Sequence, residues 1–198
     1  GESRSDTTID TSPSTANVTE GISVEANDVT IEGVTVIGPS TDSPDYATNF
    51  GVKTRTSSDD GTISGFTIRD ATVRDSGNVE LQLSDVANAL VENVTLDGGD
   101  SPTGTGIGVE DTSTDIADSV TIRDVRLVNN SYGGIGVFNA TSSTSNKFSV
   151  DDLTLEGDLE APNSVPALYV ENENDNTITD GQITDNTGEL TRRVLIDD

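Results

Sequence analysis

Apolar and polar positions alternate in short runs along most of this chain, and the runs recur. One element opens at Gly21, Gly51, Asn78, Gly106, Gly134, Ala167 and Arg193 and closes three residues later, with openings 26 to 33 residues apart. Gly-Ile-Ser-Val, Gly-Ile-Gly-Val and Ala-Leu-Tyr-Val are typical versions. Each reads as a short strand with one buried face, because side chains on a strand point to opposite sides in turn.

A second element follows within each interval, at 29–36, 66–73, 89–96, 120–127, 148–155 and, less regularly, 176–183. Its pattern is apolar, polar, apolar, two polar residues, then apolar, polar, apolar. Two short strands joined by a two-residue bend fit that pattern. The second bend position holds Gly33, Asp70, Asn93, Asp124, Asp152 and Asp180, and Gly, Asn and Asp are the residues that tolerate a left-handed backbone. A corner of this kind turns the chain while keeping inside and outside in phase. Three short strands per coil, with coils about 4.8 Å apart, predict three parallel sheets around a narrow core and a solenoid of about six coils.

Gly-Ile-x-Val followed by Val-Thr-Ile-x-Asp-Val-x-Leu resembles the repeat of pectin-lyase-like right-handed parallel β-helices. The resemblance covers roughly residues 20–198 and implies an all-β, right-handed, single-stranded parallel β-helix, with residues 1–19 as an N-terminal arm or cap. It says little about activity, since that fold carries lyases, hydrolases, epimerases, phage spikes and inert surface proteins. Neither the strict hexapeptides of a left-handed β-helix nor the helix and leucine-asparagine signature of a leucine-rich repeat are present. A stacked helix also has open ends, which invite stacking or self-association.

Composition sharpens this picture. Only 31% of the 198 residues are hydrophobic and 4% aromatic, enough for the thin core of a repeat protein. Asp and Glu number 36 against 10 Lys and Arg, a formal net charge of -26. Such a chain repels itself in dilute buffer, whereas at 1 M salt the Debye length falls to about 3 Å. The acidic residues are spread along the chain and the only lysines are Lys53 and Lys147, a pattern that resembles proteins of halophilic archaea or their viruses. An acidic, calcium-rich surface protein of a mesophile is the plainer alternative. Nucleic acid and anionic membrane are poor partners for this field, and no apolar stretch is long enough for direct membrane insertion.

No signal peptide opens the chain, so an exported protein is seen here as its mature part or as an excised domain. With no Cys and no His, a disulfide, a thiolate nucleophile and a Ser-His-Asp triad are excluded, and an ordinary zinc site lacks its ligands. Sequons at Asn17, Asn93, Asn129 and Asn139 are candidate glycosylation sites and favour an extracellular or cell-surface location.

Candidate chemistry is sparse. Most carboxylate pairs read as solvated acidic surface. The turn from Asp97 to Asp100, with two glycines between, is the best cation candidate, and calcium the one cofactor considered. The first bend position runs Glu32, Arg69, Glu92, Arg123, Asp151, Thr179, so stacking predicts a ladder of opposite charges and a structural role for the arginines. Arg126 stands alone in a threonine column. The outward position of the first strand runs Ser23, Lys53, Glu80, Gly108, Gly136, Tyr169. The two glycines beside Tyr169, with Tyr132 and Phe138 near, form a candidate glycan shelf. No catalytic residue is assigned. The expected function is a non-catalytic extracellular surface module, structural, adhesive or binding a glycan or cell-surface protein. The alternative is a carbohydrate-active lyase, hydrolase or epimerase, built around the loops at 38–50 and 97–105 with Arg126, Asp97 and Asp100 as its candidates.

Overall fold

The computed structural model describes residues 7–12, 18–39, 49–55, 61–99, 104–111, 117–130, 133–139, 149–151, 154–156, 168–171, 177–179, 182–184 and 194–197. Within them the regular structure is strand throughout. In chain order the strands are β1 (Thr7–Asp10), β2 (Glu20–Val24), β3 (Thr30–Glu32), β4 (Val34–Ile37), β5 (Phe50–Thr54) and β6 (Ile63–Ser64). Next come β7 (Thr67–Arg74), β8 (Val79–Ser84), β9 (Val86–Asp97), β10 (Thr105–Asp111), β11 (Ala117–Val128) and β12 (Gly133–Asn139). The last are β13 (Ser149–Asp151), β14 (Thr154–Glu156), β15 (Leu168–Glu171), β16 (Thr177–Thr179), β17 (Gln182–Thr184) and β18 (Val194–Asp197).

Among the described residues every strand pairing is parallel, as a β-helix requires. One sheet has the order β18-β15-β12-β10-β8-β5-β2, which is the first recurring element stacked on itself. The other, of 11 strands, has β1-β4-β7-β9-β11-β13-β16 as its main path. Where three sheets were expected, hydrogen bonding makes two, because β7, β9 and β11 run unbroken through the bend and join two walls into one. Thr7–Asp10 lies in register on Val34–Ile37, a rung laid over the first coil by the segment read as arm or cap.

Apolar residues of successive coils stack into columns. Val36, Val73, Leu96 and Leu127 form one and Ile31, Ile68, Val91 and Ile122 another. Ile22, Val52, Leu81, Ile107 and Ile135 line the opposite sheet. These columns are buried except at the first coil, where Ile22 and Ile31 are only partly covered.

The corners carry the left-handed residues. The expected corner column is present, with φ of 66° at Gly33, 49° at Asp70, 50° at Asn93 and 52° at Asp124; Asp152 and Asp180 lie outside the described residues. Further corners, apart from the glycine turn that holds Gly99, escaped the sequence reading. Asp28, Gly65 and Asn88 turn the chain before the second element, and Asp75, Gly99 and Asn129 turn it afterwards, all with positive φ. Among the described residues, the non-glycine positions of positive φ are all Asp or Asn.

Two registers differ from expectation. In the third coil Val52 faces Leu81 and Lys53 faces Gln82, a shift of two residues that puts Gln82, not Glu80, in the outward column. Val79, Leu81 and Leu83 alternate with polar residues, so a two-residue slip leaves inside and outside unchanged and the pattern alone cannot choose between registers. In the fifth coil Val150 faces Ala117 and Leu155 faces Ile122, not Ile122 and Leu127. Inward residues on either side of a corner are five apart at consecutive corners, as in Val86, Val91 and Leu96. One corner motif therefore fits at two places. The adopted register brings Glu156 opposite Arg123 and Asp151 opposite Asp118, so Asp151 leaves the charge ladder and Glu156 takes its place.

Candidate functional site

The charge ladder forms the outer face beside the central corner. Arg69 bonds Glu32 at 3.0 Å and Arg123 pairs with Glu92, while Arg69 and Glu92 face each other across the coils. These arginines are committed to the stack, in line with a structural role. Arg126 is exposed and faces Thr95.

On the other side of the same corner lies a groove of about 500 Å³ lined by Gly33, Thr35, Asp70, Thr72, Asn93 and Thr95, with Val34 and Ala71 on its floor. It arises directly from the stack. Gly33, Asp70 and Asn93 occupy one corner column, Thr35, Thr72 and Thr95 face each other in register, and small side chains at these positions leave a channel. Asn93 Nδ2 donates to Asp70 Oδ1 at 2.6 Å, tying the third coil to the second across the groove. The threonine column was legible in the sequence; the groove was not, because it forms only where that column stacks beside the corner column of Gly33, Asp70 and Asn93.

The expected glycan shelf keeps its register but not its exposure. Gly108 faces Gly136, and Gly136 faces Tyr169. Both glycines are buried, and Gln82, itself 3% exposed, lies over Gly108: a Cβ there would meet Gln82 Oε1 at 2.3 Å. A two-residue register shift thus closes the shelf at its centre. Phe138 faces Glu110 along the backbone; the side chains of Phe138 and Tyr169, and the whole of Tyr132, lie outside the described residues.

In place of an open shelf the seven-stranded sheet carries a polar cluster. Gln82 Nε2 donates to Glu110 Oε2 at 2.9 Å, and Ser84 Oγ donates to the same oxygen at 3.3 Å. Burial raises the Glu110 pKa above the ordinary carboxylate value, against the opposing pull of Lys53 and the Ser84 hydrogen bond. Lys53 stacks over the Phe50 ring, 4.2 Å from its centroid.

Glu80 was expected to point outward and is instead fully buried. Its column holds glycine in the neighbouring rungs, at Gly51 and Gly106. Ser76 Oγ donates to Glu80 Oε2 at 2.7 Å and Ser76 N to Oε1 at 3.3 Å, at the corner between β7 and β8. Gly38 and Gly51 make room for Ser76, since a Cβ on either would come within 2.6 Å of its hydroxyl. Burial pushes the Glu80 pKa up to about 8, and Asp75 and Asp97 add to the rise. No sequence signal separates Glu80 from the other carboxylates, because its place between Gly51 and Gly106 appears only in the adopted register.

Of the cation candidates, Asp97 is described and Asp100 is not. Asp97 Oδ1 accepts from Gly99 N at 3.1 Å and from Asn129 Nδ2 at 2.9 Å, so that oxygen closes the turn and ties it to the next coil. Among the sequons, Asn93 and Asn129 stand exposed at corners, Asn139 lies in β12, and Asn17 falls outside the described residues.

No curated protein and no solved structure matches the chain. A family model described as the right-handed beta helix region matches residues 2–155. Parallel pairing throughout, stacked apolar columns and left-handed Asn and Asp corners agree with that match: the chain belongs to the right-handed β-helix family.

Proposed function

We propose that this β-helix is a non-catalytic surface module, exported, adapted to high salt and used for structure or adhesion towards a glycan or a cell-surface protein. The observation that carries this reading is the use of the lateral face around the central corner. Beside that corner Arg69 is spent on Glu32, Arg123 on Glu92 and Asp70 on Asn93, each on a neighbouring coil. A net charge of -26 favours neutral or cationic partners and suits molar salt, where like-charge repulsion is screened. The test is a substrate panel of neutral and acidic polysaccharides with the purified domain at about 2–3 M salt, where screening is strongest, alongside a glycan-binding screen with and without chelator. Binding without turnover is the expected outcome, and chain cleavage at an enzymatic rate would refute the proposal.

A carbohydrate-active reading draws on one observation. Glu110 is a carboxyl whose pKa is raised by burial, the property a general acid needs. Should turnover be found, Glu110→Gln would abolish it if Glu110 is that acid, and leave it intact if the chemistry lies elsewhere.

A further inference from the structure

We infer that Asn93 carries an N-linked glycan whose first sugars lie in the groove over the corner of the second and third coils. The inference rests on the proposed export of the chain, since sequons are glycosylated in secreted proteins. Among the four sequons, Asn93-Val94-Thr95 is the one whose Asn and Thr side chains are both described, and both line the same groove. Gly33 and Ala71 also line the groove, and its rim offers the hydroxyls of Thr35 and Thr72 in register.

The geometry at the amide fits the attachment. Asn93 is exposed, and its Nδ2 donates to Asp70 Oδ1 at 2.6 Å. A side-chain amide has two N–H groups, and N-glycosylation replaces one of them. The remaining N–H keeps the bond to Asp70, so the sugar leaves the nitrogen while the side chain stays pinned across the groove. The left-handed corner at Asn93, φ 50°, turns the side chain outward without interrupting Val91 and Val94 in the core. Attached there, the glycan covers this recess with neutral polar groups and makes no demand on the acidic surface around it.

The test is glycopeptide mass spectrometry of the chain secreted by a host that performs N-glycosylation. The native chain should show a modified peptide at Asn93, Thr95→Ala should lose that glycan while Asn93 still holds the corner, and Thr95→Ser should retain it. On the folded chain, enzymatic release of the Asn93 glycan should be several-fold slower than after denaturation. A bare Asn93 overturns the inference, whatever the state of the other sequons. If Asn129 or Asn139 is modified in that sample, export and the surface reading stand while the Asn93 seat fails. A glycan released equally fast from folded and unfolded chain retains the attachment but overturns its seating in the groove.

Discussion

At the corners, single residues decide whether the chain can turn. Asn88 holds φ 54° and is exposed, so its backbone conformation matters more than its contacts. Asn88→Gly should change stability little. Asn88→Val should cost on the order of 2 kcal/mol, because a β-branched side chain in the left-handed region clashes with its own backbone. Denaturant unfolding of both variants at one salt concentration checks this. Glu80 makes the other residue-scale prediction. Its folded pKa of about 8 lies above its ordinary value of 4.5, so its contribution to stability is fully present below pH 4.5 and is lost as pH rises through 8. Relative to Glu80→Gln, the native chain should lose at most about 1.4 kcal/mol per pH unit across that window. Paired unfolding curves at acidic, neutral and mildly alkaline pH would show it, and parallel pH profiles would contradict it. The central corner was legible at this scale because Gly33, Asp70, Asn93 and Asp124 recur at one place in a motif. Asp28, Asp75 and Asn129 make equal corners but are hidden among many other acidic and amide residues.

Between strands, the question is which residue faces which. The alternation of apolar and polar positions was enough to show the strands, their parallel stacking and most facing pairs, Glu32 with Arg69 and Gly108 with Gly136 among them. It failed where the physical constraint is periodic: a two-residue slip in β8 and a one-corner slip in the fifth coil both keep the apolar residues inside. The first slip bears on the candidate shelf, since Gln82 in place of Glu80 lies over Gly108. The charge ladder yields a prediction of its own. Arg69→Glu places three acidic residues in a row with Glu32 and Glu92 and should cost up to about 1 kcal/mol per facing pair in dilute buffer. In molar salt most of that loss should disappear, because these side chains are partly exposed and screening is strong. Stability of native and variant chains across a salt series tests both statements.

For the molecule as a whole, charge and core pull against each other. A net charge of -26 is spread over 198 residues around a core built almost entirely from Val, Ile and Leu. Desalting should therefore weaken folding steadily, and circular dichroism should show strand signal returning as salt is restored; a melting temperature indifferent to salt would remove the high-salt part of the proposal. The parallel ladders have a mechanical side as well. Their hydrogen bonds point along the stack, so a pull in that direction passes through each rung interface in series and the poorest one yields first. Between β9 and β11 the facing residues run from Ala87 and Asp118 to Asp97 and Val128. The same kind of interface recurs between the later coils, from Ser149 and Thr177 to Asp151 and Thr179 and again from Thr154 and Gln182 to Glu156 and Thr184. Under tension the molecule would lengthen in steps, rung by rung, dissipating work at each interface instead of opening all at once.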